Sequence, residues 1–422
     1  MKNIIEELSW RNLIQDKVPG LKKRLNKPIT IYIGFDPSSS SLHIGNIVPI
    51  IILIHFKKFG HNSIALVGGA TGFIGDPSER HKKREIINEN ILKKNTISIE
   101  TQIYKLFSYF SEKIELLNNF DWIKNIYFID FIKNIGIHFS VNYLISKKSM
   151  EKRIKKGIYF NEFSYPLIQG YDFLYLNKEK NCQLQVGGSD QWGNITIGIE
   201  LIKKKTKKKA YGLTFPLITN SNGIKFGKSN NEKENIWLNE KKTSPYKFYQ
   251  FWINLSDLEV KKYIKIYTFL SKKEINSLIV KHEKYPNKRL LQKKLACYMT
   301  KWIHGDKKYQ MIVNITSTLF NKDHKILSLL KEKDYMFIYK NIPHSHISKK
   351  KIEKGILLSD LMKEIGFFSS KSRANHAIKT KSIYINKIIT KENITINKKN
   401  LINKKYILFQ FGKKNFFILM TK

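Results

Sequence analysis

The chain has 422 residues, 42% of them hydrophobic and 13% aromatic, which is too long for one ordinary domain and rich enough for two or three cores. No apolar run nears the roughly 20 residues of a membrane span, the opening MKNIIEELSW lacks a signal peptide's apolar core, and only Cys182 and Cys297 occur, so a membrane protein, a disulfide framework and a cysteine-rich metal site are not expected. A net charge of +42 suits a polyanionic partner such as nucleic acid, although abundant Lys, Ile and Asn are also what an A+T-rich genome imposes on solvated faces.

In chain order, ITIYIGF (29–35) and SIALVGG (63–69) read as strands, with a helix over 44–59 between them that stops before Gly60. Residues 84–178 read as mostly helical, an insertion between the two halves of a sheet. CQLQVGG (182–188) then reads as a strand, DQWGNITIGIELIKKK (190–205) as a helix and YGLTFPLI (211–218) as a further strand. Strands separated by helices imply an α/β, Rossmann-like parallel sheet with right-handed crossovers. From 245 to 320 the pattern is all helix. Residues 321–354 are lysine-rich and weakly periodic, and 355–422 show two short helices and then alternating strands. The expected organisation is a catalytic α/β domain over 1–235 with a helical insertion, an all-helical domain over 236–320, a linker over 321–354 and a small α+β module over 355–422.

The stretch IYIGFDPSSSSLHIGN (31–46) places glycine, small hydroxyl residues and a histidine between a strand and a helix start. In a parallel sheet ligands bind beyond the carboxyl ends of strands, and free N–H groups at a helix N-terminus suit phosphate. Gly34, Ser38, Gly45 and His43 supply what close approach of a phosphate needs. GIKFGKS (223–229), after the last sheet strand, offers two lysines, a glycine between them and a terminal hydroxyl. It is not a Walker loop, and the glycines of VGGATGFIGDPS (67–78) do not fit a dinucleotide fingerprint.

Together, His43-Ile44-Gly45-Asn46 and Lys225-Phe226-Gly227-Lys228-Ser229 resemble the two signatures of class I aminoacyl-tRNA synthetases. The phrases GFDP, LVGGATGFIGDPS, EFSYPLIQGYDF, QVGGSDQWGNIT and KTSPYKFYQFWIN resemble the bacterial tyrosyl-tRNA synthetases in particular, over essentially the whole chain. That resemblance implies ATP and L-tyrosine as substrates, Mg²⁺ with the ATP, no prosthetic group, tRNA(Tyr) as partner, a homodimer formed through the insertion around residues 119–145, and a cytoplasmic location. It implies that Tyr32 and Asp172 hold the substrate phenol, that Tyr165 and Gln169 hold its ammonium, and that Asp76, Gln185 and Gln191 complete the polar wall. Tyr165, Gln169 and Asp172 also share one helix face. Ser38, His43, Lys225, Lys228 and Ser229 are the expected catalytic group on the phosphates, with Arg80 and Arg84 assisting. Gly34, Asp36, Gly45, Asn46, Gly188 and Asp190 are expected around the nucleotide. Asn46 stands where the signature has a second histidine, Ser38 where many relatives have threonine, and Pro49 lies near the helix start. The module resembles a ribosomal-protein RNA-binding fold, with Lys371, Arg373, His376 and Lys379 facing phosphates. A tryptophanyl enzyme and a non-catalytic RNA-binding protein on the same scaffold are the alternatives. Tyrosine-dependent pyrophosphate exchange separates them.

Overall fold

The computed structural model describes residues 3–76, 87–147, 157–219, 235–321 and 323–422. Two compact units divide the chain: residues 1–239 with 255–295, and residues 240–254 with 296–422. The helical stretch expected over 236–320 is therefore shared between units.

The first unit is built on five parallel strands, β1 (Thr30–Phe35), β2 (Asn62–Val67), β3 (Glu115–Asn118), β4 (Cys182–Gly188) and β5 (Tyr211–Phe215), in the order β3-β2-β1-β4-β5. β3 lies inside the stretch read as helical. Its four residues, ELLN, are too few to show a period of two beside the 20-residue helix Glu89–Ser108. The helix Ile44–Lys58 buries every residue from Ile47 to Phe56, and a helix apolar all round belongs in a core. The helices Phe160–Glu179 and Trp192–Thr206 cross at two glycines. A Cβ on Gly198 would come 3.0 Å from the Phe173 ring, and one on Gly170 would come 3.2 Å from Ile197. A side chain at either position would force Phe173 or Ile197 to give by a few tenths of an ångström.

In the second unit, residues 321–354 are not a bare linker. They form the helix Glu332–Asn341, strand β6 (His344–Ile347) and the helix Lys349–Lys354. Then come β7 (Ile356–Leu357), β8 (Ile383–Ile385), β9 (Ile388–Ile389), β10 (Thr395–Ile396), β11 (Tyr406–Phe411) and β12 (Asn415–Thr421). β6 pairs in parallel with β12 at the edge of the sheet β6-β12-β11-β8-β9, so its backbone bonds depend on the end of the chain. Tyr335 stacks on Tyr406 at 4.8 Å and 9°. In the tight turn between β8 and β9, the Lys387 ammonium donates to the carbonyls of Thr318 (2.5 Å) and Leu319 (3.1 Å), at the end of the helix Asp306–Phe320.

Candidate active site

Strand order reverses between β1 and β4, and a crevice at the carboxyl ends of the strands follows from that topology. Tyr32 and Gln185 are register partners across it. A cavity of about 540 Å³ opens there. Its wall brings together Tyr32, Gly34, Asp36, Ser38, His43, Asn46, Asp76, Tyr165, Gln169, Asp172, Gln185, Gly188, Asp190 and Gln191. Of the described residues expected at this site, only Gly45 is off the wall. Lys225, Lys228 and Ser229, with Arg80 and Arg84, lie outside the described residues.

The Tyr32 side chain is 1% exposed, and its hydroxyl has no hydrogen-bond partner among the described residues. Burial, then the neighbouring Asp172, raises its pKa well above the ordinary value. Asp172 is 2% exposed and accepts from Trp122 Nε1 at 2.8 Å and Asn119 Nδ2 at 3.0 Å. Burial pushes its carboxyl up to about 7; the two hydrogen bonds oppose the shift and the nearby Asp36 adds to it. On the same wall Gln185 Oε1 is also buried with no hydrogen-bond partner among the described residues. Such orphans are costly in a dry wall unless a ligand completes them. An O–H donor beside a carboxylate acceptor complements a phenol, which both accepts and donates.

Asn119 and Trp122 were not anticipated. Asn119 also accepts from Ala70 N (2.8 Å) and donates to Thr71 Oγ1 (3.1 Å), tying the glycine-rich turn after β2 to Asp172. Trp122 stacks on Tyr175 at 4.3 Å. Their only sequence signal is NNFDWI, a polar pair and a tryptophan inside the insertion.

Each of the expected ammonium residues is held by a polar neighbour, Tyr165 by Asp36 and Gln169 by Gln191 and Asn194. Tyr165 donates to Asp36 Oδ2 at 2.8 Å, and Thr71 donates to Asp36 Oδ1 at 2.8 Å. Asp36, expected beside the nucleotide, thus also anchors Tyr165. Gln191 donates to Asp76 at 2.6 Å, Gln169 to Gln191 at 3.2 Å, and the buried Asn194, also unanticipated, to Gln169 at 2.9 Å. The wall carries Asp36, Asp76, Asp172 and Asp190 and, among the described residues, no lysine or arginine. It favours a cation here. Neutralising a triphosphate falls to residues outside the described ones.

His43 is the N-cap of the helix Ile44–Lys58. Its Nδ1 accepts from Gly45 N at 3.1 Å, and Asn46 Oδ1 accepts from His43 N at 3.0 Å, a reciprocal cap. Ile44 N donates to Ile236 O at 3.0 Å and Asn46 N to His43 O at 2.9 Å. The free N–H groups expected at this helix start are therefore already engaged, and the backbone of Ile44, Gly45 and Asn46 is not an open phosphate cradle. With Nδ1 accepting, the neutral ring carries its proton on Nε2. Burial lowers the imidazole pKa to about 4, so at neutral pH His43 is an uncharged donor. Asn46 replaces a second histidine without loss of the cap. Ser38 lies exposed on the turn, and a Cβ on Gly34 would meet no protein atom within 4 Å, so the cavity reaches the β1 backbone.

In the second unit, Ser370 caps the helix Lys371–Lys379, accepting from Arg373 N at 3.3 Å. Ala374, Ala377 and Ile378 are buried, while Lys371, Arg373, His376 and Lys379 are exposed on the opposite side. Lys371 pairs with Asp360 at 2.6 Å. Among the described residues no group of three His, Cys, Asp or Glu side chains could hold a metal ion, and no helix is long and apolar enough to cross a membrane.

Comparison with known proteins adds the following. Residues 23–321 match the family described as tRNA synthetases class I (W and Y), and residues 334–419 match the tyrosine–tRNA ligase SYY-like C-terminal domain. The chain is 45% identical over 430 residues to a tyrosine–tRNA ligase of Flavobacterium johnsoniae, covering 99% of each chain. It is 46% identical over 433 residues to that of Flavobacterium psychrophilum, covering 100% of each. Among solved structures, a C-terminally truncated mitochondrial tyrosyl-tRNA synthetase of Aspergillus nidulans superposes with a TM-score of 0.68 at 30% identity, covering 76% of this chain and 95% of that one.

Proposed function

The chain belongs to the class I tRNA synthetases of the W and Y group, and from that premise we infer that it is a tyrosine–tRNA ligase, which activates L-tyrosine with ATP and passes it to tRNA(Tyr). The observation that carries the choice of tyrosine is the buried, unpartnered Tyr32 hydroxyl beside Asp172. Phenylalanine would leave the Tyr32 hydroxyl unpaired and Asp172 with only its Asn119 and Trp122 donors, which costs more than losing one contact.

The tyrosine carboxylate attacks the α-phosphorus of ATP. A carboxyl–phosphorus bond forms, the bond to the bridging oxygen breaks, and pyrophosphate leaves with the electron pair. A hydroxyl of the tRNA's terminal ribose then attacks the tyrosyl carbonyl and AMP leaves. The attacking carboxylate is already ionised, so the first step needs no enzymic base. Its rate comes from alignment and from charge stabilisation on the departing pyrophosphate.

The roles divide along the wall. Tyr32 donates to the phenol oxygen and Asp172 accepts its proton. The carboxylates of Asp36 and Asp76, with Tyr165, Gln169, Gln185 and Gln191, surround the ammonium. His43 Nε2–H and the Ser38 hydroxyl donate to phosphate oxygens, and Lys225, Lys228 and Ser229 neutralise the leaving pyrophosphate. Gly34, Gly188 and Asp190 leave room for adenosine and hold its ribose. Mg²⁺ would enter on the triphosphate, with phosphate oxygens and water as its ligands. The exposed face of the helix Lys371–Lys379 suits an RNA backbone.

The insertion exposes Tyr127, Phe128, Ile129 and Ile137 by 78, 64, 71 and 76%. Apolar exposure of that extent is what a second copy of the chain would cover in a homodimer. The relatives are bacterial, and a tRNA ligase works where ribosomes do, in the cytoplasm.

Tyrosine-dependent exchange of pyrophosphate into ATP tests the reading, with phenylalanine and tryptophan in parallel. Exchange with tyrosine alone is expected. Equal exchange with all three, or none with any, overturns it.

A further inference from the structure

The segment 235–239 is bound to the turn that opens the helix Ile44–Lys58. Ile44 N donates to Ile236 O at 3.0 Å and Leu238 N to Leu42 O at 2.9 Å, so His43 and Trp237 face each other across an antiparallel bridge. Asn239 N donates to Ser41 Oγ at 3.1 Å and extends the pairing. The Trp237 ring, 7% exposed, meets the imidazole edge-on, with centroids 5.9 Å apart and planes at 69°.

These contacts restrain His43 on three sides. Its backbone is held by the bridge and by Asn46, its Nδ1 by Gly45 N, and its ring by the indole. The remaining ring nitrogen, Nε2, is the one with a proton to give. Trp237 lies on the cavity wall with His43, and the same strand pairing that brings the indole there engages the first N–H of the helix.

We infer that Trp237 is a positioning residue for tyrosyl-adenylate formation: it fixes the His43 imidazole so that Nε2–H points to the triphosphate. This rests on the reading of the cavity as the site of adenylate formation. Trp237 acts through His43, so its effect should exist only while the imidazole is present. A role in folding alone would not depend on His43.

The test uses the full chain with Trp237→Leu and Trp237→Phe, each made also in a His43→Ala background. Adenylate formation is followed in a single turnover, and tyrosine affinity is measured separately. Trp237→Leu should lower the rate constant roughly tenfold, leave tyrosine affinity unchanged, and raise the His43 pKa toward the ordinary value in an NMR titration. Trp237→Phe, which keeps an aromatic edge, should recover most of the rate. In the His43→Ala background neither substitution should lower the rate further. Should the Leu variant fail to fold, the smaller loss in the Phe variant, and its disappearance without His43, carry the comparison. Equal losses with and without His43 overturn the inference, as does an unchanged rate in both Trp237 variants. Absence of tyrosine-dependent exchange in the unmodified chain overturns the underlying reading instead.

Discussion

Asp172 ties specificity to pH. Its folded pKa of about 7 lies above the ordinary carboxyl value because burial outweighs the hydrogen bonds from Asn119 and Trp122. Between those two values the native state holds a proton that the unfolded chain has released. The resulting stabilisation is present in acid and fades as pH rises to about 7. With the phenol donating to the carboxylate, as proposed, tyrosine binding should run the other way. Affinity should climb through about pH 7 and then level off, and Asp172→Asn should flatten that rise and weaken tyrosine activation roughly a hundredfold. Fluorescence titration of tyrosine on either side of neutrality checks this, and an unchanged slope in the variant would sink the assignment. Tyr32, Gln169 and Asp172 were legible because one strand and one helix face carry them. Asn119, Trp122 and Asn194 were not, because they touch other side chains of the wall and no local spacing marks them. At His43 the sequence marked the residue and its local cap, while the bond that engages Ile44 N comes from Ile236, roughly 190 residues away.

At the scale of elements, Arg11 shows how a residue that looks like one more surface cation becomes an internal fastener. It is buried, and its guanidinium donates to the carbonyls of Lys265 (2.7 Å), Thr268 (2.6 Å) and Leu270 (2.6 Å), beyond and at the end of the helix Asp257–Tyr267. Glu7 takes its Nε–H at 2.8 Å. Arg11→Met would fill the space, take the guanidinium from three carbonyls and leave the Glu7 carboxylate with Trp10 Nε1 alone. A loss of about 3 kcal/mol is expected, read from the urea midpoint at constant slope. A shift within the noise would mean that water replaces the guanidinium. The same contrast explains which elements could be read. β1, β2, β4 and β5 have five to seven residues rich in apolar or β-branched side chains, whereas β3 has four residues and β6 is HSHI, a strand only because β12 lies beside it. Lysine-rich surface hid the helix Glu332–Asn341, whose buried face rests on Tyr335 and Ile338.

Across the whole molecule, the pairing of β6 with β12 and of Tyr335 with Tyr406 fixes where the chain can be shortened. A cut near Lys350 would leave β6 without its paired strand and Tyr335 without its stacking partner. A chain ending at Asn321 removes them together and should still exchange pyrophosphate with tyrosine while charging tRNA poorly. Charging by the full chain should fall as salt rises, since the contact displaces counterions from phosphates. Parallel assays of exchange and charging on both lengths are decisive; full charging by the shortened chain would make the module dispensable for tRNA. The strand order has a further consequence, for birth rather than for catalysis. β1 and β4 are neighbours in the sheet, yet the chain between Phe35 and Cys182 must be made before they meet. β1, β2 and β3 leave the ribosome early, as a half-sheet whose open edge is β1. Closing so long a loop is slow, and an uncovered parallel edge invites the wrong neighbour. The crevice between β1 and β4 is thus absent until β4 has been made, and a nascent chain that stalls inside the insertion offers β1, the strand bearing Tyr32, to whatever strand arrives first.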